Sequence, residues 1–272
     1  MPIAIQGIPG SFHHQVAINV FGIDADVLCF DTFEEIAAAV GNGSASQGVM
    51  AIENSIAGAI LPNYEVIDRH GLFIQGEHYL PISHNLMALP GLKVENLQVV
   101  KSHPMAILQC QTFFQKHPHI KLEPGKDTAS VAREISEKKL QYQGAIASHK
   151  AAEIYGLEIL AENIQTVEEN FTRFILLAKE PEKPAQIPNK ASLKVIIRNE
   201  KGALAKLLQI FADQDLDLSK IQSIPVIEKP WDYAFFIDTL ISDYSKYSKA
   251  LEKVRGAGNE VKIFGEYISQ KP

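Results

Sequence analysis

Two cysteines in 272 residues, Cys29 and Cys110, are too few and too widely spaced for a disulfide framework or a metal-ligand pattern; they fit a reducing cytoplasm. No apolar run approaches the roughly 20 residues that a membrane span requires. Lysine and arginine are scattered without a basic tract, and a net charge of −6 offers nucleic acid or an anionic membrane no electrostatic foothold. The start, Met1-Pro2-Ile3-Ala4-Ile5-Gln6, reads as a strand and lacks the basic start and long apolar middle of a signal peptide. A lysine-bearing phosphate loop is missing too, and Gly7-x-x-Gly10 does not have dinucleotide spacing, which argues against a nucleotide. Nucleophile elbow, metalloprotease helix and Cys/His pair are all wanting, so nothing points to covalent or metal catalysis. The histidines His13-His14 and His117-Pro118-His119 do not have zinc-site spacing and read as solvated or capping groups.

What is present is an ordinary globular composition, 46% hydrophobic and 21% charged, in a chain longer than one typical domain. Over the first 180 residues short apolar runs alternate with helical patterns. The runs Ile3–Gly7, Val27–Phe30, Gln47–Ile52, Leu97–Lys101, Gln143–Ala147 and Arg173–Ala178 predict strands. Between them, His13–Phe21, Thr32–Val40, Met105–Lys116, Ala129–Lys139 and Lys150–Tyr155 predict helices. This alternation implies α/β layers with a largely parallel sheet. Residues 77–90 can carry the chain from one lobe into a second. Residues 181–191 hold Pro181, Pro184 and Pro188 among charges and read as a linker. Beyond it, 192–272 predicts strand Leu193–Arg198, helix Ala203–Gln214, strands Leu218–Pro225 and Tyr233–Leu240, helix Tyr244–Ala257 and strand Glu260–Tyr267. That order, βαββαβ, is ferredoxin-like.

Four turns in the first region place small polar residues at helix starts: Gly7-Ile8-Pro9-Gly10-Ser11, Glu53-Asn54-Ser55, Ser102-His103-Pro104 and Asp127-Thr128-Ala129. Each by itself is plain capping chemistry. Converging on one cleft at strand carboxyl ends, they would suit a small carboxylate. Glu53 either edges such a cleft or faces solvent. Thr172 and Arg173 stand at the mouth of the apolar strand that follows Asn170-Phe171, and neighbouring side chains on a regular strand point to opposite faces. Both can touch one ligand only if the backbone there is irregular; otherwise one is structural, and Arg173 is assigned that part.

Taken together these residues resemble prephenate dehydratase, in its monofunctional form with a C-terminal ACT domain. Gly48–Gly58 is similar to the family's Ile-Glu-Asn-Ser signature, and Ser102-His103-Pro104 with Gln109-Cys110 to its central motif. Ala147-Ser148, Ala151–Leu157 and Asn170-Phe171-Thr172-Arg173-Phe174 are similar to its last block. The resemblance implies a catalytic domain over 1–180 with two α/β lobes like a type II periplasmic binding protein, then the ACT domain over 192–272. It implies a cofactor-free lyase that takes carboxylate and hydroxyl from prephenate to give phenylpyruvate, CO2 and water. Thr172 is the catalytic candidate; Glu53, Asn54, Ser55, Ser102, Gln109 and Arg173 are candidate substrate contacts. Gly202, Ala203, Leu204 and Ser223 are candidate contacts for an L-phenylalanine effector, with a homodimer or homotetramer implied. Two departures stand out: His13 at the first helix start, and Gln222-Ser223-Ile224-Pro225 where the family has Glu-Ser-Arg-Pro. Rival readings are arogenate dehydratase and a non-catalytic binding protein with an amino-acid sensor.

Overall fold

A computed structural model describes residues 2–182, 184–198, 200–225 and 233–269. It divides into two compact units, one of residues 1–66 and 79–174, the other of 67–78 and 175–272.

The chain opens with β1 (Ile3–Gln6), α1 (Phe12–Phe21), β2 (Val27–Phe30), α2 (Phe33–Gly41), β3 (Gln47–Asn54), the short β4 (Gly58–Ala59) and α3 (Leu61–Arg69). Strand β5 (Phe73–Pro81) then leads to β6 (Asn85–Ala88), β7 (Val99–Ser102), α4 (Pro104–Gln109), α5 (Gln111–Phe114) and β8 (Lys121–Pro124). After α6 (Thr128–Lys138), β9 (Gln143–Ala147), α7 (His149–Tyr155) and β10 (Glu158–Ala161), β11 (Phe171–Ala178) returns to the first sheet. The first lobe is built on the order β2-β1-β3-β11-β5, the second on β10-β6-β9-β7-β8. Strands β1, β2 and β3 run parallel, as do β7, β8 and β9, whereas β6 and β10 are antiparallel to their neighbours. The lobes thus meet the expectation of α/β layers, with antiparallel pairing on one side of the second sheet.

Local chemistry explains the elements. Thr32 and Glu35 form a capping box at the start of α2, which buries Ile36, Ala37 and Val40; such a cap is worth about 1 kcal/mol. Strand β9 alternates in the manner its pleat requires. Ile146 joins Val100, Ala106, Cys110 and Phe114 on one face of the second sheet. Ala145 and Ala147 join Val131, Ile135 and Ala151 on the other.

The expected helix Met105–Lys116 is broken at Cys110 into α4 and α5. The carbonyl of Gln109 is taken by the Thr166 N–H at 2.8 Å instead of continuing a regular helix. Two crossover segments join the lobes, residues 82–84 and 162–170, and they bond to one another: Ile82 N–H donates to the Asn170 carbonyl (2.7 Å) and Ile164 N–H to the His84 carbonyl (2.8 Å).

The second unit contains β12 (Lys190–Ile197), α8 (Ala203–Ala212), β13 (Leu218–Pro225), β14 (Tyr233–Leu240), α9 (Tyr244–Gly256) and β15 (Glu260–Tyr267). This is the βαββαβ order read from the sequence, folded as an antiparallel sheet β13-β14-β12-β15. Leu193, Val195, Leu207, Phe211, Ile237, Tyr247, Leu251 and Val254 form its core; each large apolar side chain so buried contributes about 1.5–3 kcal/mol. Gly265 lies where a Cβ would fall 1.9 Å from the Ile74 carbonyl oxygen, so only glycine admits that approach.

Candidate active site

All four polar turns line a single cavity of about 490 Å³ in the first unit. Its wall takes Gln6, Gly7 and Ser11 from the β1–α1 turn and Asn54 with Ala57 to Ile60 from the segment after β3. His103, Met105, Ala106 and Gln109 come from α4 and its cap, and Lys126 to Thr128 from the start of α6. Its size is that of a small-molecule site, for which about 300–1,000 Å³ is usual. The helix starts deliver their own caps: Ser11 accepts from His14 N–H at 3.2 Å and Asp127 from Ser130 N–H at 2.7 Å.

Strand β11 resolves the question of Thr172 and Arg173 by its pleat. Thr172 and Phe174, two residues apart, share the face that lines the cavity. Arg173 points the other way, is 3% exposed, and pairs with Glu53 at 3.5 Å. A buried guanidinium needs such a partner, because an uncompensated charge there would cost several kcal/mol (about 3–5).

A chain of uncharged hydrogen bonds crosses the floor of the cleft. Asn54 Oδ1 accepts from the backbone N–H groups of Ile56 (3.0 Å) and Ala57 (2.8 Å). Its Nδ2 therefore faces the other way, donating to Thr172 Oγ1 (3.0 Å), Asn170 Oδ1 (2.7 Å) and the Phe171 carbonyl (3.2 Å). Asn170 Nδ2 donates in turn to Gln109 Oε1 (3.1 Å), which also lies 2.8 Å from His84 Nε2. Because Thr172 Oγ1 is an acceptor from Asn54, its own proton is left for the cavity, and no described residue takes it.

Ser55 and Ser102 serve the scaffold and do not line the cavity. The exposed Ser55 accepts the Phe171 N–H at 2.9 Å and donates its own N–H to the Phe171 carbonyl at 2.8 Å, tying β11 to the turn after β3. Ser102 has no exposure; its hydroxyl donates to the Ile146 carbonyl at 2.6 Å, stitching β7 to β9. Glu53 and Arg173 are likewise absent from the wall, since each is committed to the other on the far face.

His13, set apart in the sequence as a departure, neither caps α1 nor faces solvent. It lines the cavity, accepts the Ala51 N–H through Nε2 at 3.3 Å, and meets the Phe174 ring edge-on at 4.9 Å. Burial among these groups pushes its pKa down to about 3, so the ring is neutral and acts as an acceptor. At the rim Lys126 is the only lysine or arginine among the described lining residues; it pairs with Asp31 at 2.7 Å. His84 and Asn170 were not read from the sequence as site residues. The signal available for His84 was its place in the polar triplet Ser83-His84-Asn85, between Ile82 and the apolar run Leu86–Leu89.

In the second unit Gly202 begins α8 with φ +78° and no side-chain cap, followed by Ala203 and Leu204. The Ala203 N–H is used by the Glu200 carbonyl at 3.1 Å. Ser223 is exposed on β13. Among the described residues no helix is long and apolar enough to cross a membrane.

A family model described as prephenate dehydratase matches residues 3–182, and one described as ACT domain matches residues 191–256. Arogenate dehydratase/prephenate dehydratase 1 of Arabidopsis thaliana is 39% identical over 251 residues, covering 87% of this chain; the chain spans 64% of that relative's length. Two solved structures superpose closely at 27% identity each. One, described as a prephenate dehydratase in complex with L-Phe from Arthrobacter aurescens, has a TM-score of 0.88 and covers 98% of this chain and 90% of its own. The other, described as GqqA, a novel type of quorum quenching acylase, has a TM-score of 0.89 and covers 99% and 98%.

Proposed function

The chain belongs to the prephenate dehydratase family and carries an ACT domain, and we propose that it converts prephenate to phenylpyruvate, CO2 and water. The observation that carries this reading is the Thr172 hydroxyl, held as an acceptor by Asn54 and left with its proton facing the cleft. In the reaction the bond between the ring and its carboxylate breaks, and that electron pair enters the ring as CO2 departs. The ring hydroxyl leaves from the opposite carbon, and a proton turns it into water. Aromatisation drives the step, so the enzyme needs to stabilise the departing oxygen rather than supply a strong nucleophile.

Thr172 is the group positioned for that. Accepting a hydrogen bond from Asn54 polarises its own O–H outward, so it donates to the leaving hydroxyl. A threonine is too weak an acid to transfer a full proton unaided, and its contribution is orientation and hydrogen bonding as charge develops. Gln109, also on the wall, supplies an amide for substrate oxygens. Lys126 is placed to attract a carboxylate at the rim once its pairing with Asp31 is loosened. Glu53 and Arg173 support β11 from behind, Ser55 ties β11 to the turn after β3, and Ser102 holds β7, which leads into the helix α4 that presents Gln109.

Acyl transfer, the chemistry for which one structural neighbour is named, needs a nucleophile paired with a base. Among the described residues no histidine nitrogen bonds Thr172 Oγ1, and the lining His13 and His84 are engaged with Ala51 and Gln109. Arogenate, the aminated counterpart of prephenate, is the second substrate to test, because the Arabidopsis relative bears both names. Purified protein incubated with each, without added metal or nucleotide, should yield phenylpyruvate from prephenate with the higher kcat/KM. Absence of product from prephenate would refute the assignment.

For the second unit we propose L-phenylalanine as effector, received near Gly202, Ala203, Leu204 and Ser223, in a homodimer or homotetramer. The Phe complex of the Arthrobacter structure and the uncapped start of α8 support this. Titration calorimetry with phenylalanine checks it, with light scattering for the assembly; no heat together with uninhibited turnover would reject it.

A further inference from the structure

His84 stands at the other end of the hydrogen-bond chain from Thr172. It sits in the first crossover, is 3% exposed, and is clamped through its backbone. Its N–H donates to Gln165 Oε1 at 2.9 Å, and its carbonyl accepts from Ile164 at 2.8 Å. The ring meets Phe12, a second cavity residue, edge-on at 5.8 Å. Nδ1 is buried without a hydrogen-bond partner among the described residues.

The direction of every bond along the chain follows from backbone atoms, whose donor and acceptor roles cannot swap. The Ile56 and Ala57 N–H groups claim Asn54 Oδ1, and the Phe171 carbonyl demands Asn54 Nδ2. Asn170 must then offer Oδ1 to Asn54 and Nδ2 to Gln109, so Gln109 presents Oε1. An oxygen acceptor 2.8 Å from His84 Nε2 requires the proton on Nε2. Desolvation lowers the pKa of the ring and keeps it neutral, so the unpartnered Nδ1 is a bare lone pair and not a buried N–H.

We propose that His84 is a positioning residue for the reaction assigned above: donating from Nε2, it locks Gln109 and Asn170, and through Asn54 the direction of the Thr172 hydroxyl. The chain runs from the first crossover through α4 and the second crossover to β3 and β11. It therefore ties elements of both lobes to the reacting group. His84 acts through this chain and Thr172 acts on substrate. The proposal rests on the dehydratase reading.

Substitutions of different reach test it. His84→Leu removes the donor and should lower kcat by roughly tenfold or more while leaving KM within about twofold, the pattern of an interaction that matters in the transition state. His84→Gln can place an amide nitrogen near the Nε2 position and should restore most of kcat. His84→Asn reaches only to the Nδ1 position and should not. Nitrogen-15 NMR of the ligand-free wild type should show a neutral ring protonated at Nε2. A folded His84→Leu enzyme with wild-type kcat, an Asn variant as active as the Gln variant, or a ring protonated at Nδ1 would overturn the role. If His84→Leu does not fold, the Gln–Asn comparison and the NMR decide. A wild type inactive on prephenate and arogenate, yet with the Nε2 proton in place, would reject the reaction while keeping the hydrogen-bond chain. An active wild type with the proton on Nδ1 would reject only the part given to His84.

Discussion

The floor of the cleft and the polar interior of the second unit solve opposite problems with similar residues. In the cleft, Thr172, Asn54, Asn170, Gln109 and His84 are joined without a formal charge, and the Thr172 end is left with an unspent proton. In the second unit, Lys190 and Glu77 form a bidentate pair at 2.9 Å with side chains 2% and 0% exposed. Ser269 donates to the same carboxylate, Tyr267 approaches it at 3.5 Å, and Ser192 links Tyr267 to Asp238. In the second network the buried Lys190 and Glu77 charges close on one another. A site must keep a hydrogen-bonding valence open, whereas a scaffold is safest when every valence is used.

Breaking the closed network should show the largest effect on folding. Lys190→Ala leaves the Glu77 carboxylate without its cation and should lower unfolding free energy by about 3–5 kcal/mol. Chemical denaturation measures that loss, and a well-folded, equally stable variant would blur the contrast between the two regions. At the open end, Thr172→Ala should lower kcat by about 10²–10³-fold, in the range of a lost positioned hydroxyl. Its melting temperature should stay close to wild type, and Thr172→Ser should be milder. Steady-state kinetics beside a thermal melt separates the two.

The neutral histidine at the cleft wall gives an effect of intermediate size. His13 has a folded pKa of about 3, below its ordinary value near 6.5. Between those values the unfolded chain binds a proton that the folded chain refuses, so stability falls as pH drops from 6.5 toward 3. The slope from this one group is at most about 1.4 kcal/mol per pH unit, and it vanishes above pH 6.5. His13→Gln keeps a hydrogen-bonding amide and should flatten that part of a stability–pH profile. The smallest effect belongs to the rim. Lys126 and Asp31 are both well exposed, so Lys126→Met should change stability by less than about 1 kcal/mol. It should raise KM more than it lowers kcat, and the difference should shrink at high salt.

Much of the fold was legible because it rests on local pattern. Val27–Phe30, Gln143–Ala147, Leu218–Pro225, Tyr233–Leu240 and Glu260–Tyr267 have the same bounds in sequence and structure. Each is an apolar or alternating run with turn residues beside it. Strands β4, β5 and β6 were not read as strands, residues 77–90 being taken only as a crossover, and α3, β8 and β10 were left unread because they are weakly patterned. Helix α3 starts Leu61-Pro62-Asn63 and is polar on average. Strands β8 and β10 have four residues each and lie at opposite ends of their sheet order, where little burial stamps a period on them. The split at Cys110 could not be read, because it depends on a bond from Thr166, far along the chain.

At the site, the residue types were legible and their partners were not. Asn54, Gln109 and Thr172 stood out through motif spacing, and all three line the cavity. Ser55 and Ser102 stood out equally, yet neither lines the cavity: Ser55 Oγ accepts the Phe171 N–H, and the Ser102 hydroxyl donates to the Ile146 carbonyl. The local signal of His84 was not decisive, since a histidine between Ser83 and Asn85 reads the same whether it is solvated or a buried donor.

The sequence alone determined the α/β alternation, the βαββαβ module, and that Thr172 and Arg173 must face opposite ways on a regular strand. Those depend on period and propensity, which act between neighbours in the chain. Tertiary structure alone decided which polar groups are spent and which remain open. That depends on hydrogen-bond partners brought together from Asn54 to Asn170 across more than a hundred residues, and on the backbone atoms that set the direction of every bond between them.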